Sequence, residues 1–226
     1  MGHVMNSEQL EKYSSAVTLS DMEVFVFPLV NVSLFPQTTK PLNIFEPRYL
    51  AMVRDSIATN TPIAIGFIDQ AQKVGHVFPG EHIPFLREVA GFGLATIIEE
   101  RINGTLLIFL HGRGKVKIGK VLDKHKPYLV CEAEVISEET EVSEDNQSQL
   151  KRLRLVLERW IHRHLPDPVQ REIFMRNLTG PAEIVGNFSS YLVRDFDLQQ
   201  MVLELSDINA KIKLLTRLIE SNELSF

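Results

Sequence analysis

Cysteine occurs once in this chain, at Cys131, and tryptophan once, at Trp160. A single cysteine excludes an internal disulfide framework and a multi-cysteine zinc site, and it fits a reducing compartment. Long apolar runs are missing as well. "TLLIFL" is far too short to span a bilayer, and the opening "MGHVMNSEQLEKYSSAVTLS" holds no stretch of signal-peptide length. The expectation is a soluble, cytoplasmic protein with no membrane contact. Positive charge is outnumbered, 24 Lys and Arg against 29 Asp and Glu, and the formal net charge of −5 opposes wholesale attraction to nucleic acid or an anionic membrane.

Catalytic signatures are missing in the same way. No G-x-x-x-x-G-K-[ST] occurs, and "HGRGKV" lacks the spacing and the Ser/Thr that hold phosphate and magnesium. "GNFSS" does not match the G-x-S-x-G elbow, and Cys131 sits in a strand pattern beside Ala133, as a buried, inert thiol would. Of the seven histidines, His162 and His164 point roughly 200° apart on a helix and cannot share an ion. His76 and His82 flank "VFPGE" without an evident third ligand. No catalytic residue, metal or cofactor is therefore expected.

What is present divides into two parts. Residues 23–139 read as short strands: "EVFVFPL", "TPIAIGF", "GFGLATIIEERI", "TLLIFLHGRG", "KVKIGKVL" and "YLVCEAEVI". Asn103-Gly104 predicts a tight hairpin turn with both residues at positive φ. One helix interrupts the strands, with Pro47 at its first position and Tyr49, Met52, Val53 and Ile57 at helical spacing. After the acidic run "SEETEVSEDNQSQ" the period changes to 3.6. Residues 140–226 then read as a helical bundle with Leu150, Leu153, Leu157, Trp160, Ile161 and His164 on its first stripe. Residues 1–22 form an extension. The fold class is α+β: an antiparallel pseudo-barrel with one inserted helix, then a bundle.

The segment Phe27–Val53, "FPLVNVSLFPQTTKPLNIFEPRYLAMV", resembles the signature of the Lon protease N-terminal domain. "GFGLATIIEERINGTLLIFLHGRGKVKI" is similar to that family's central hairpin, and the likeness runs from about Glu23 to Glu220. The resemblance implies a PUA-like barrel followed by helices, and a role in selecting protein substrates and assembling a ring, so a homo-oligomer is compatible with it. It looks like a stand-alone member, without the ATPase or the Ser-Lys protease part. The expected function is a non-enzymatic module for unfolded or partner proteins and peptides. The alternative is a PUA-like RNA-associated module.

Two readings of the signature stay open. In the structural one, Pro36, Pro41 and Pro47 fix turns, Leu34, Leu42, Ile44 and Phe45 feed the core, Tyr49 opens the helix stripe, and Arg48 ties the helix start to Glu46 or another carboxylate. In the functional one, Phe35 displays an apolar patch for unfolded segments. The long stretch Asp69–Glu88 carries Val77, Phe78, Ile83, Phe85 and Leu86, so Phe78 and Phe85 either capture clients or plug the barrel. The RNA alternative would rest on Lys151, Arg152, Arg154, Arg159 and Arg163, a group that a solvated helix favoured by its dipole also explains.

Overall fold

The computed structural model describes residues 22–221, so the expected N-terminal extension falls, up to residue 21, outside the described part. The strand-rich portion holds β1 (Met22–Leu29), β2 (Thr39–Ile44), helix α1 (Pro47–Thr59), β3 (Ile63–Phe67), β4 (Val89–Glu100), β5 (Leu106–Val121) and β6 (Leu129–Ile136). The helical portion holds α2 (Glu144–His164), α3 (Pro168–Arg176), α4 (Pro181–Leu192), α5 (Phe196–Glu204) and α6 (Ile208–Glu220). The mixed α+β architecture stands as the sequence implies.

Strands β5-β4-β3-β1-β6 close into a ring because the second half of β5 pairs with β6. The first half of β5 carries β2 instead, outside the ring. The sheet is antiparallel but for one pairing: β1 and β3 run parallel, from Phe25 opposite Ile63 to Leu29 opposite Phe67. Helix α1 lies between them in sequence and brings the chain back, as parallel neighbours require. Pro28 costs no ladder bond on the β6 side, since β6 reaches only as far as Val26.

Strand β1 is buried on both faces. Phe25 and Phe27 join Ile44, Tyr49, Met52 and Val53 in one apolar cluster, whereas Val24 and Val26 join Val77, Ile83 and Phe85 in another. The long 69–88 stretch thus covers the second face of the sheet. It contains a single 3-10 turn at Ala71–Lys73. The bundle has its own cluster, with Leu153, Leu157 and Ile161 of α2 against Val185 and Phe188 of α4 and Ile212 and Leu215 of α6.

Several expectations need correction. Phe45 is 70% exposed rather than buried: it follows buried Ile44, and the strand's period of two turns it outward. Ile57 is exposed as well, with Ser56 taking the buried place on α1. His164 and, in part, Trp160 lie outside the α2 core stripe. In the 101–105 hairpin only Gly104 has positive φ, 80°. Asn103 instead accepts the Thr105 N–H through Oδ1 at 3.1 Å, in a three-residue connection.

Candidate functional site: an apolar groove beside the start of helix α1

The proline-rich segment of residues 28–47 serves two separate places. At the first, adjacent residues enter opposite cores: Leu34 packs in the strand cluster and Phe35 in the bundle cluster. Phe35 is only 1% exposed, so it displays no patch, and that expectation is overturned. The chain here lies so close to the sheet that a Cβ on Gly91 would sit 1.7 Å from the Leu34 carbonyl oxygen. A Cβ on Gly112 would sit 2.1 Å from that of Phe35. These two glycines are contact points for backbone, a use that a strand pattern alone does not reveal.

Polar bonds finish this junction. The Ser33 hydroxyl donates to Gln200 Oε1 at 2.9 Å, and Gln200 Nε2 donates to the Val89 carbonyl at 2.8 Å. Arg87 grips Glu204 with two bonds of 2.8 and 2.7 Å. Lys115, fully buried, donates to the Leu205 carbonyl at 2.6 Å and lies 3.2 Å from Glu138, which also holds Lys211. Burial, then the neighbouring Lys211 charge, pull the Lys115 ammonium below its ordinary value. Apart from Lys115–Glu138, the bonds of this set join groups more than seventy positions apart in the sequence.

The second place is a groove of about 710 Å³. Its walls are the end of β2 with the start of α1 (Asn43–Glu46, Arg48 and Tyr49), the tail of β1, Val74–Val77 with Pro79, and the turn 121–130; Phe78 is not among them. Phe27 and Tyr49 pack in its wall as a tilted pair, with ring centroids 4.4 Å apart. Arg48 lies over the Tyr49 ring at 4.5 Å and bonds Glu46 at 2.9 Å, the first of the two alternatives the sequence left open. Tyr128 donates to Asp55 at 2.5 Å, and Lys126 reaches the same oxygen at 2.8 Å. The Lys126 and Tyr128 bonds hold the Asp55 carboxyl below its usual range.

Phe45 stands exposed at the rim with Val74. Phe78 is 61% exposed and packs on His76, itself a lining residue, at 4.7 Å. Phe85, at 4% exposure, belongs to the covered face of the sheet, and only part of it shows in the groove wall. So the expected pair is split: Phe78 is available and Phe85 is structural. The signature prolines divide likewise, with Pro36 at the lobe junction, Pro41 in β2 and Pro47 at the first position of α1.

The groove's chemistry is restricted. Its lining contains no serine, threonine or cysteine, so it holds no hydroxyl or thiol nucleophile apart from tyrosine. Its cations are already paired: Arg48 with Glu46, Lys124 with Glu23 at 2.6 Å, and Lys126 with Asp55. No group of three metal-ligating side chains occurs among the described residues. Burial pushes the Cys131 thiol up to about 12, which keeps it protonated and unreactive. What remains is an apolar trough with neutralised edges, able to take an apolar segment. The part played by the 121–130 turn was not read from the sequence. The polar, proline-ended "DKHKP" was its available signal, and His125 turns the chain there at φ 49°.

A closed strand ring joined to a helical bundle through a glycine-lined turn defines a two-lobed α+β domain. Residues 23–221 match the family described as ATP-dependent protease La (LON) substrate-binding domain, and the chain belongs to that family. It is 19% identical over 220 residues to a Lon protease from Buchnera aphidicola subsp. Acyrthosiphon pisum, covering 96% of this chain and 26% of that protein. The chain thus spans about a quarter of the length of that curated relative. The fold is similar to a Lon N-terminal domain protein from Xanthomonas campestris, with TM-score 0.59 and 18% identity over 86% of this chain and 96% of that one. It is also similar to the N-terminal domain of a Mycobacterium avium complex Lon protease, with TM-score 0.63 and 13% identity over 85% and 95%. No described helix is long and apolar enough to cross a membrane.

Proposed function

We propose that this chain is a protein- and peptide-binding module that performs no catalysis, and that its groove beside the start of α1 holds an apolar, unfolded segment. One observation carries the reading: Phe45, on the rim of an apolar trough, is 70% exposed, although the aromatic rings around it are buried. An exposed ring at the edge of a concave apolar wall is the arrangement of a recognition anchor. Neutralised edges suit clients that share hydrophobicity rather than a charge pattern. Membership of a substrate-binding domain family supports the same reading. The module works on protein partners in the cytoplasm, without nucleotide or metal, through units that span residues 23–139 and 140–226.

The test is titration of a labelled, uncharged peptide of alternating leucine, phenylalanine and serine, followed by fluorescence anisotropy. Phe45→Ser combined with Val74→Ser should weaken binding about tenfold or more, a loss of about 1.4 kcal/mol or more. The thermal midpoint should not change, since both side chains are exposed. Unaltered affinity would remove the groove from the binding site.

A further inference from the structure

We propose that the outer face of α2 is a second docking surface, which takes an acidic amphipathic helix of a partner protein. The evidence is a local excess of free positive charge beside exposed apolar side chains. Between Lys151 and Arg176 each acid is already engaged. Glu158 bonds Arg154 at 2.8 Å, Glu172 bonds Arg176 at 2.5 Å, and Asp167 accepts the Val169 N–H at 2.9 Å as the cap of α3. Arg152 is taken by Glu220 at 2.9 Å. Among the described residues this leaves Lys151, Arg159, Arg163 and Arg171 without a carboxylate partner, in a chain whose net charge is −5.

The free arginines are arranged as well as numerous. Leu155, Arg159 and Arg163 follow one another at intervals of four and so form one stripe along α2. Arg159 and Arg163 line two shallow concavities at once, one shared with Leu155 and the other with Trp160, and so form the ridge between them. Leu155 is 54% exposed, and on the neighbouring α3 Ile173 is 55% exposed. The helix dipole accounts for Arg163 in the last turn of α2. It accounts for neither Lys151 nor the exposed leucine. Helix α3 completes the picture, since it has no buried residue at all. A ridge of cations flanked by grooves and apolar points fits a helix that carries carboxylates around a leucine stripe.

The same features argue against a nucleic acid. Trp160 is stacked on His164 at 4.4 Å and on Tyr191 at 5.1 Å, so the one tryptophan is already engaged within the protein and is a poor platform for a base. Phosphates would leave Leu155 and Ile173 in water.

The surface is tested on the full chain with a blocked, labelled peptide that has leucine at i, i+3 and i+4 and glutamate elsewhere. Its control carries lysine for every glutamate. Saturable binding of the glutamate peptide alone is expected, weakening with added salt. Arg159→Glu with Arg163→Glu should lower that affinity about tenfold or more, and Leu155→Ser with Ile173→Ser should lower it without changing the salt response. Phe45→Ser should leave it unchanged, which separates this face from the groove. Arg159→Gln with Arg163→Gln replaces the reversal if that variant loses its circular-dichroism melt. No saturation, equal binding of the lysine peptide, or indifference to the arginine variants would overturn the proposal. So would binding of oligouridine, or self-association, that these variants abolish.

Discussion

Phe35 and Phe45 lie ten positions apart in one proline-rich segment, and their surroundings are opposite. The Leu34–Thr38 turn is pressed between two lobes: Leu34 enters one core, Phe35 the other, and Gly91 and Gly112 let the backbone touch the sheet. The Phe45–Tyr49 corner ends a strand outside the ring and starts a helix, with its phenylalanine in solvent at the groove rim. Similar residues with similar punctuation therefore do different work. The turn is held by partners on both sides, so its composition is dictated by packing. The corner has a partner on one side only, which leaves a large apolar ring free for something else.

The comparison can be broken at three points. The largest effect belongs to the turn: Phe35→Ala should destabilise by about 3–5 kcal/mol, since it empties a ring-sized site in the bundle core. Chemical denaturation should show it. A loss below about 1 kcal/mol would mean that the two lobes relax around the cavity.

Next comes the charge cluster beside that turn. Glu138→Gln leaves Lys115 and Lys211 without their shared carboxylate, and should cost about 3 kcal/mol near neutral pH. That is the low end for a broken buried pair, because Glu138 keeps 19% exposure. The sign of the pH response follows from Lys115. Its folded value lies below the ordinary 10.5, so the unfolded chain binds more protons between the two values and stability rises with pH through that window. Loss of Glu138 removes a group that raises the Lys115 value, so the variant should recover more on going from neutral pH toward 10.5 than the parent does. Denaturation midpoints against pH would show the two curves converging, and parallel curves would contradict this assignment.

The smallest effect is at the corner. Phe45→Ala should change stability by no more than about 0.5 kcal/mol, as exposed positions generally do. A loss comparable with that at Phe35 would put Phe45 back in a core and end the contrast.

Much of this architecture was legible in the sequence. The β-rich first part, the helix after Pro47, the change of period near residue 140 and most of the buried face of α2 follow from alternation and helical spacing. The Arg48–Glu46 pair could be read because its members are two residues apart. The groove was less visible. Phe78 stood out as an aromatic ring in a long irregular stretch, but Phe85 looked equivalent to it, and only the strand face that Phe85 covers separates them. Phe45 was misplaced because hydrophobicity says that a ring tends to be buried, not that a core exists on its side of the strand.

By itself, then, the sequence determined what depends on near neighbours: where elements start and stop, and which face of each is apolar. Tertiary structure alone decided what lies across each face. Ser33 meets Gln200 across 167 positions, Lys115 reaches the Leu205 carbonyl across 90, and Gly91 meets a backbone oxygen from a turn more than fifty residues earlier. Such contacts leave no period in the chain, because each depends on how two complete lobes pack and not on the conformation of either segment.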